Sequence, residues 1–211
     1  EYTFRRNGGD RPSYGSIVGS GPNSTTLHYN RDDRYMRAGE VLNMDMATYY
    51  GGYSADLTRT VPVSGKFSPE QRAVYDAVLA AQLAAERQVK LGGTYRQMND
   101  SAVTVLTQGL ARLGLIESPG ATYDDQGRAV PQYRLYYMHG LGHPIGLDVH
   151  DVDVYAGPGG FVEGSAFTIE PGVYREGWGG IRIEDDVVLA PEGPVVLTSF
   201  PRELQSVGKT A

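Results

Sequence analysis

Four histidines carry the strongest chemical signal in this sequence. Three fall in one stretch, His139-Gly140-Leu141-Gly142-His143-Pro144-Ile145-Gly146-Leu147-Asp148-Val149-His150, and the fourth, His28, precedes Tyr29 at the end of a β-like run. The four-residue step from His139 to His143 would suit two ligands on one helical turn, but Gly140, Gly142 and Pro144 disfavour a helix, so a loop entering a strand is expected. Asp45 and Asp56 flank Tyr50-Gly51-Gly52, and a tight hairpin turning near Tyr50-Gly51 would set them roughly opposite each other on adjacent strands. Glu170 and Glu184 repeat the arrangement about Gly177, and Arg182, two residues before Glu184, shares its face in a strand. Opposed carboxylates on one face repel unless a cation lies between them.

Taken singly, each of these residues has a plainer reading. A lone Asp beside glycines caps a turn, Arg182 beside an acid forms a surface ion pair of little energy, and a lone His is a satisfied core or surface residue. Three histidines among glycines, together with two hairpins of paired carboxylates, favour a site. Four carboxylates and at least one imidazole suit hard or borderline divalent ions rather than a zinc-finger-type site.

The elements that must position these groups can be read from pattern. Residues 14–61 alternate short β-rich runs, such as Ser16-Ile17-Val18 and Glu40-Val41-Leu42-Asn43-Met44, with Gly, Pro and Asn. Ser68-Pro69-Glu70-Gln71 is a capping-box pattern that starts a helix running over Val74, Val78, Ala81 and Ala85 to about Lys90, where Gly92-Gly93 stops it. A second box, Thr94-Tyr95-Arg96-Gln97, opens a helix with Met98, Ala102, Val105, Leu106, Leu110 and Leu113 on one stripe, closing at Gly114. Residues 117–132 read as a loop. Strands are expected at 147–149, 166–170 and 181–189, with Gly-rich turns at 155–160 and 176–180. Strands, two helices and strands again give an α+β fold with a curved, mostly antiparallel sheet.

Composition narrows the function. The chain has 211 residues, with 19 Lys+Arg against 25 Asp+Glu and a formal charge of −6, and one domain is the default at this length. No run of basic residues occurs, so nucleic acid is disfavoured as a partner. The absence of Cys rules out disulfides, thiolate metal sites and a cysteine nucleophile. No stretch has the apolar length to cross a bilayer, and Glu1-Tyr2-Thr3-Phe4-Arg5-Arg6 lacks the apolar core of a secretory leader, so no membrane partner and a cytoplasmic setting are expected.

Four ordered motifs then resemble one family. Asp45 and Asp56 within Met44–Thr60, the run His139–Asp151, Thr168-Ile169-Glu170-Pro171-Gly172-Val173-Tyr174, and Gly180-Ile181-Arg182-Ile183-Glu184-Asp185-Asp186 are similar to the motifs of the pita-bread metallopeptidases, in the Xaa-Pro aminopeptidase (aminopeptidase P) and prolidase branch. The resemblance runs from about Tyr2 to Pro201. It implies a pita-bread fold, a curved mostly antiparallel sheet covered by helices, with two divalent metal ions, manganese ahead of cobalt, zinc or iron. Carried over by position, Asp45 holds one ion, Asp56 and Glu184 bridge both, and His143 with Glu170 completes the other. The same resemblance puts His28, His139 and His150 in the substrate pocket, gives Glu170 the proton transfer, lets Arg182 anchor the proline side, and makes Tyr14 and Tyr174 pocket-lining.

The activity implied is hydrolysis of Xaa-Pro bonds in peptides with proline at the second position, by an Xaa-Pro aminopeptidase or, as the alternative, an Xaa-Pro dipeptidase. Methionine aminopeptidase and creatinase share the fold but match these motifs less well, and an inactive peptide-binding module would have lost ligands that this chain keeps. Ala47 departs from the family's usual Gly two residues after the first Asp, which adds a methyl and removes no ligand. Family members also carry further helices and an amino-terminal domain ahead of the position where this chain begins. Residues 1–211 are therefore expected to form the carboxy-terminal portion of a catalytic domain, self-associating as a homo-oligomer or pairing with a separate upstream segment that covers apolar surface left open.

Overall fold

The computed structural model describes residues 1–152 and 159–203. In chain order the elements are α1 (Tyr2–Arg6), β1 (Arg11–Pro12), β2 (Ile17–Ser20), β3 (Val41–Asp45), β4 (Thr48–Tyr50), β5 (Tyr53–Ser54), β6 (Thr58–Pro62), α2 (Pro69–Glu86) and α3 (Tyr95–Arg112). They continue with β7 (Thr122–Asp125), β8 (Arg128–Pro131), β9 (Ala166–Ile169), β10 (Gly172–Arg175), β11 (Gly179–Arg182), β12 (Asp185–Ala190) and β13 (Gly193–Val196). Every strand pairing among the described residues is antiparallel, in the orders β1-β4-β5, β2-β3-β6, β7-β8, β10-β11 and β13-β12-β9. The α+β expectation holds, with the sheet divided into short ladders.

Both helices start where their boxes lie. The Ser68 hydroxyl accepts the Gln71 amide at 3.1 Å and the Gln71 side chain accepts the Ser68 amide at 2.8 Å; Thr94 and Gln97 repeat the exchange. The first helix stops at Glu86, short of Lys90, because the amides of Gln88 and Val89 turn to the carbonyls of Ala85 and Glu86, three residues back, and tighten the chain. The stripes of α2 and α3 are largely covered: Tyr75, Val78, Ala81, Met98, Ala102, Leu106 and Leu110 pack in one core with Ile169, Ile181, Ile183 and Leu189, while Val105 and Leu113 stay half-buried. The helices touch closely at Gly109, where a Cβ would lie 2.8 Å from that of Ala77. On β2, β3 and β6, the positions Val18, Leu42, Met44 and Val61 are only half-buried.

Four local expectations need correction. Residues 117–132 are not all loop: Gln126 and Gly127, at φ 55° and 84°, close the β7–β8 hairpin. Residues 147–149 form no strand, because the Asp151 carboxylate takes the amides of Leu147 and Val152 at 3.0 and 2.8 Å and holds the chain as a turn. The run 181–189 is two strands, since β11 pairs with β10 while β12 pairs with β9 and β13, leaving Ile183 and Glu184 between the ladders. The first hairpin turns at Gly51-Gly52, so Asp45 is opposite Thr58 and not Asp56. Of the turn expected at 155–160, residues 155–158 lie outside the described residues.

A buried ion pair ties these ladders together. Arg59 donates to Asp185 at 2.6 Å, to the carbonyls of Thr58 and Glu184 at 2.9 and 2.5 Å, and to those of Phe200 and Pro201 at 2.6 and 3.0 Å, which uses its whole guanidinium. Gln82 on α2 reaches the other Asp185 oxygen at 2.9 Å. Removing one partner of a buried pair strands the other charge at a cost of roughly 3–5 kcal/mol. Arg59→Met should therefore lower the unfolding free energy by about that amount in a urea titration; a loss below about 1 kcal/mol would show that the pair contributes little.

Candidate metal centre

The carboxylates and histidines meet at a cavity of about 590 Å³. Asp45, Asp56, His143, Glu170 and Glu184 line it together with Tyr14, His28, His139, His150 and Arg182, and Ile17, Leu27 and Val149 add apolar wall. Asp45 ends β3, Asp56 sits between β5 and β6, Glu170 follows β9, and Glu184 lies in the gap between β11 and β12. Continuing the β10–β11 register, in which Gly172 faces Arg182, sets Glu170 opposite Glu184 as the sequence suggested. His143 arrives on a loop laid against β9: the Thr168 amide donates to the His143 carbonyl at 2.9 Å and the Glu170 amide to that of Leu141 at 2.8 Å. Gly142 permits this approach, because a Cβ there would lie 2.0 Å from the Thr168 carbonyl oxygen.

The donor set fits divalent ions. Asp56, His143 and Glu184 each offer a ligand atom, all within 4.8 Å of one another. The Nδ1 of His143 faces the Pro144 carbonyl at 3.0 Å and must donate to it, which turns Nε2 toward Asp56 and Glu170, each 3.5 Å away. The Tyr14 hydroxyl contacts both Asp45 and Asp56. A phenol has one proton, so it satisfies only one of two carboxylates, and the second contact calls for a further proton or a cation.

Around this set runs a wall of fixed donors. Arg182, 3% exposed, gives Nη2 to Asp45 at 2.7 Å, Nη1 to the Tyr174 hydroxyl at 2.9 Å and Nε to Thr58 at 3.2 Å. Tyr174 donates onward to His139 Nε2 at 2.9 Å, and the other His139 nitrogen donates to the Gly140 carbonyl at 2.7 Å. Thr58 donates to Glu184 at 2.5 Å, and the Thr168 hydroxyl to Glu170 at 3.3 Å. The structure departs from expectation at one residue: Tyr174 is 2% exposed and stands behind the wall, outside the cavity lining, whereas Arg182 lines the cavity while its guanidinium bonds protein partners. His28 and His150 lie at the exposed side of the cavity, with the His150 ring 3.9 Å from that of His143.

Electrostatics reports the crowding. Burial, helped by neighbouring carboxylates, pushes Glu170 up to about 7 and Glu184 well above the usual carboxylate range. Asp45 is also raised by burial, against the pull of Arg182. Asp186, buried behind Asp56, is pushed up to about 7. Burial lowers His143, but Asp56, the Pro144 carbonyl and the charge of Glu170 outweigh it and the net shift is upward. His139 is lowered by burial to about 4 and is neutral. Thr58, Thr168 and Asp186 were not legible as site residues; the one signal was their two-residue spacing from Asp56, Glu170 and Glu184, which puts them on the same strand face.

Known proteins resemble this chain in sequence and fold. Residues 1–191 match the Metallopeptidase family M24. The Xaa-Pro aminopeptidases of Haemophilus influenzae and Escherichia coli are 38% and 37% identical over 98% of the chain, which spans about half of their length, 50% and 49%. Among solved structures, the Pseudomonas aeruginosa aminopeptidase PepP superposes with a TM-score of 0.82 at 38% identity, over 93% of this chain and 47% of that one. A zinc-substituted Escherichia coli aminopeptidase P in complex with product superposes equally, at 0.82 and 37% identity, over 94% and 47% of the two chains. The fold is the pita-bread fold.

The raised carboxyls set a pH dependence for the metal-free chain. Where a folded carboxyl titrates above its unfolded value, the folded state binds more protons, and stability falls as pH rises toward the folded value. Glu170 and Asp186 act this way up to about 7, while His139, titrating in the folded state at about 4 and at 6.5 when unfolded, acts oppositely until about 6.5. The chelator-treated chain should therefore show a falling Tm as pH rises from about 6.5 through about 7, and saturating divalent ion should remove the fall. A Tm that rises through this interval without metal would contradict the crowding.

Proposed function

The chain belongs to metallopeptidase family M24, and from that premise we propose that it hydrolyses Xaa-Pro bonds as an Xaa-Pro aminopeptidase, releasing the first residue of peptides with proline second. The observation that carries the reading is the convergence of Asp45, Asp56, His143, Glu170 and Glu184 on one cavity whose rim holds His28 and His150. Those five residues would hold two divalent ions, manganese first and cobalt, zinc or iron as alternatives; when bound, the ions supply an activated water and polarise the scissile carbonyl.

The remaining chemistry is assigned to side chains. Glu170 takes the proton of the attacking water and delivers it to the leaving proline nitrogen. His28 and His150, exposed at the cavity mouth, donate to the carbonyl oxygen as charge develops on it, interactions that count only where they strengthen in the transition state. His139 steadies the substrate from the wall, its ring locked by Tyr174 and the Gly140 carbonyl. Arg182 serves chiefly by fixing Asp45, and Ile17, Leu27 and Val149 offer apolar contact to the proline ring. Tyr14 holds the two aspartates in register. Residues 1–211 are read as the carboxy-terminal catalytic portion of a longer assembly, and an upstream segment or a second copy is proposed to cover the half-buried Val18, Leu42, Met44 and Val61.

The metal-reconstituted chain should cleave Xaa-Pro-Yaa tripeptides faster than Xaa-Pro dipeptides; the reverse order would favour a dipeptidase, and no cleavage of either at confirmed metal content would sink the reading. Glu170→Gln should lower kcat about 10²- to 10⁴-fold while the fold persists, and His150→Ala should lower kcat more than it raises KM.

A further inference from the structure

Glu184 is followed by two aspartates, and strand alternation sends them to opposite sides. Asp185 faces Arg59 and Gln82. Asp186, 4% exposed, turns the other way, and its Oδ2 accepts the backbone N–H of Asp56 at 3.0 Å. Asp56 lies between β5 and β6, outside any ladder, so its amide depends on a side chain for an acceptor. Nearby, the Glu184 amide donates to the Thr58 carbonyl at 3.1 Å and the Thr58 hydroxyl to the Glu184 carboxylate at 2.5 Å. Residues 56 and 58 are thus pinned to 186 and 184, in a two-rung contact that fixes Asp56 and Glu184 relative to each other.

The remaining oxygen of Asp186, Oδ1, is buried with no hydrogen-bond partner. A buried polar atom left unmade costs stability, so a carboxyl used for a single bond is an expensive way to fill this space.

We infer that Asp186 is a positioning residue of the metal centre, its Oδ2 holding the Asp56 backbone where the Asp56 side chain can serve as a ligand. This rests on the proposal that Asp56 and Glu184 are ligands. A packing role would be met by any side chain of similar shape, whereas positioning requires an acceptor at Oδ2. Partners of this kind typically change metal affinity 10- to 100-fold when removed.

Asp186→Asn, which keeps the acceptor, and Asp186→Leu, which keeps the forked heavy-atom outline and loses it, separate the two roles. The chelator-treated chain is titrated with Mn²⁺ by calorimetry, with circular dichroism and thermal unfolding in parallel. Asn should bind Mn²⁺ within about threefold of wild type, and folded Leu about 10- to 100-fold more weakly. A folded Leu variant that binds as wild type, or an Asn variant as weak as Leu, would overturn the inference. Should Leu not fold, hydrogen exchange at the Asp56 amide decides: protection in wild type and in Asn supports the bond, and rapid exchange in the folded wild type overturns it. A wild-type chain that takes up no Mn²⁺ instead overturns the assignment of Asp56 and Glu184 as ligands, whatever the exchange of that amide.

Discussion

Four carboxylates share one buried wall, and no arrangement of hydrogen bonds alone can make that comfortable. The surroundings are a set of partial answers. Arg182 spends one nitrogen on Asp45, Thr58 gives its only proton to Glu184, and Tyr14 stands between two aspartates with a proton for one of them. What these donors leave unsatisfied is a demand for positive charge: burial first, and neighbouring carboxylates after it, hold Glu170 and Glu184 above the usual carboxylate range. A cation-binding centre is the form that demand takes when the fold is rigid enough to hold the acids together.

That rigidity comes from a change of strand partner. The stretch from Gly179 to Ala190 begins paired to β10 and ends paired to β9 and β13, and Glu184 lies at the changeover. There its side chain faces the cavity while its carbonyl takes the Arg59 guanidinium on the other side. The period of two then sorts the acidic tail of the motif, with Asp185 facing the helix layer and Asp186 the site. One short segment therefore carries Glu184, a proposed ligand, its anchor to the core and its tie to the loop that bears Asp56.

Much of this was legible. The capping boxes announced both helices, glycine spacing announced the second hairpin, and the clustering of His139, His143 and His150 among glycines announced a site. Where expectation failed, a side chain or a register outside local pattern had decided. Asp151 could take two backbone amides and cancel a strand at 147–149; nothing in the apolar run Leu147-Asp148-Val149 discloses that competition. The Asp45–Asp56 hairpin was placed correctly in outline, but the turn at Gly51-Gly52 shifted its register and gave Thr58 the position opposite Asp45. Tyr174 and Arg182 both fall in motifs, and motif membership does not distinguish Arg182, which touches the cavity, from Tyr174, which braces its wall. Several of the supporting contacts join residues more than a hundred positions apart, such as Thr58 to Glu184 and Asp56 to Asp186, and no local pattern encodes those.

The guanidinium of Arg59 has a consequence for how the protein comes into being. Two of its hydrogen bonds end on Phe200 and Pro201, more than 140 positions along the chain, and a third on Asp185. During synthesis Asp45 and Asp56, the first two of the proposed ligands, emerge with a cation beside them of whose acceptors only the Thr58 carbonyl has yet been made. The native set of acceptors around that charge is complete only once the segment carrying Phe200 and Pro201 has left the ribosome, so this part of the wall depends on long-range contacts, which form more slowly than local ones.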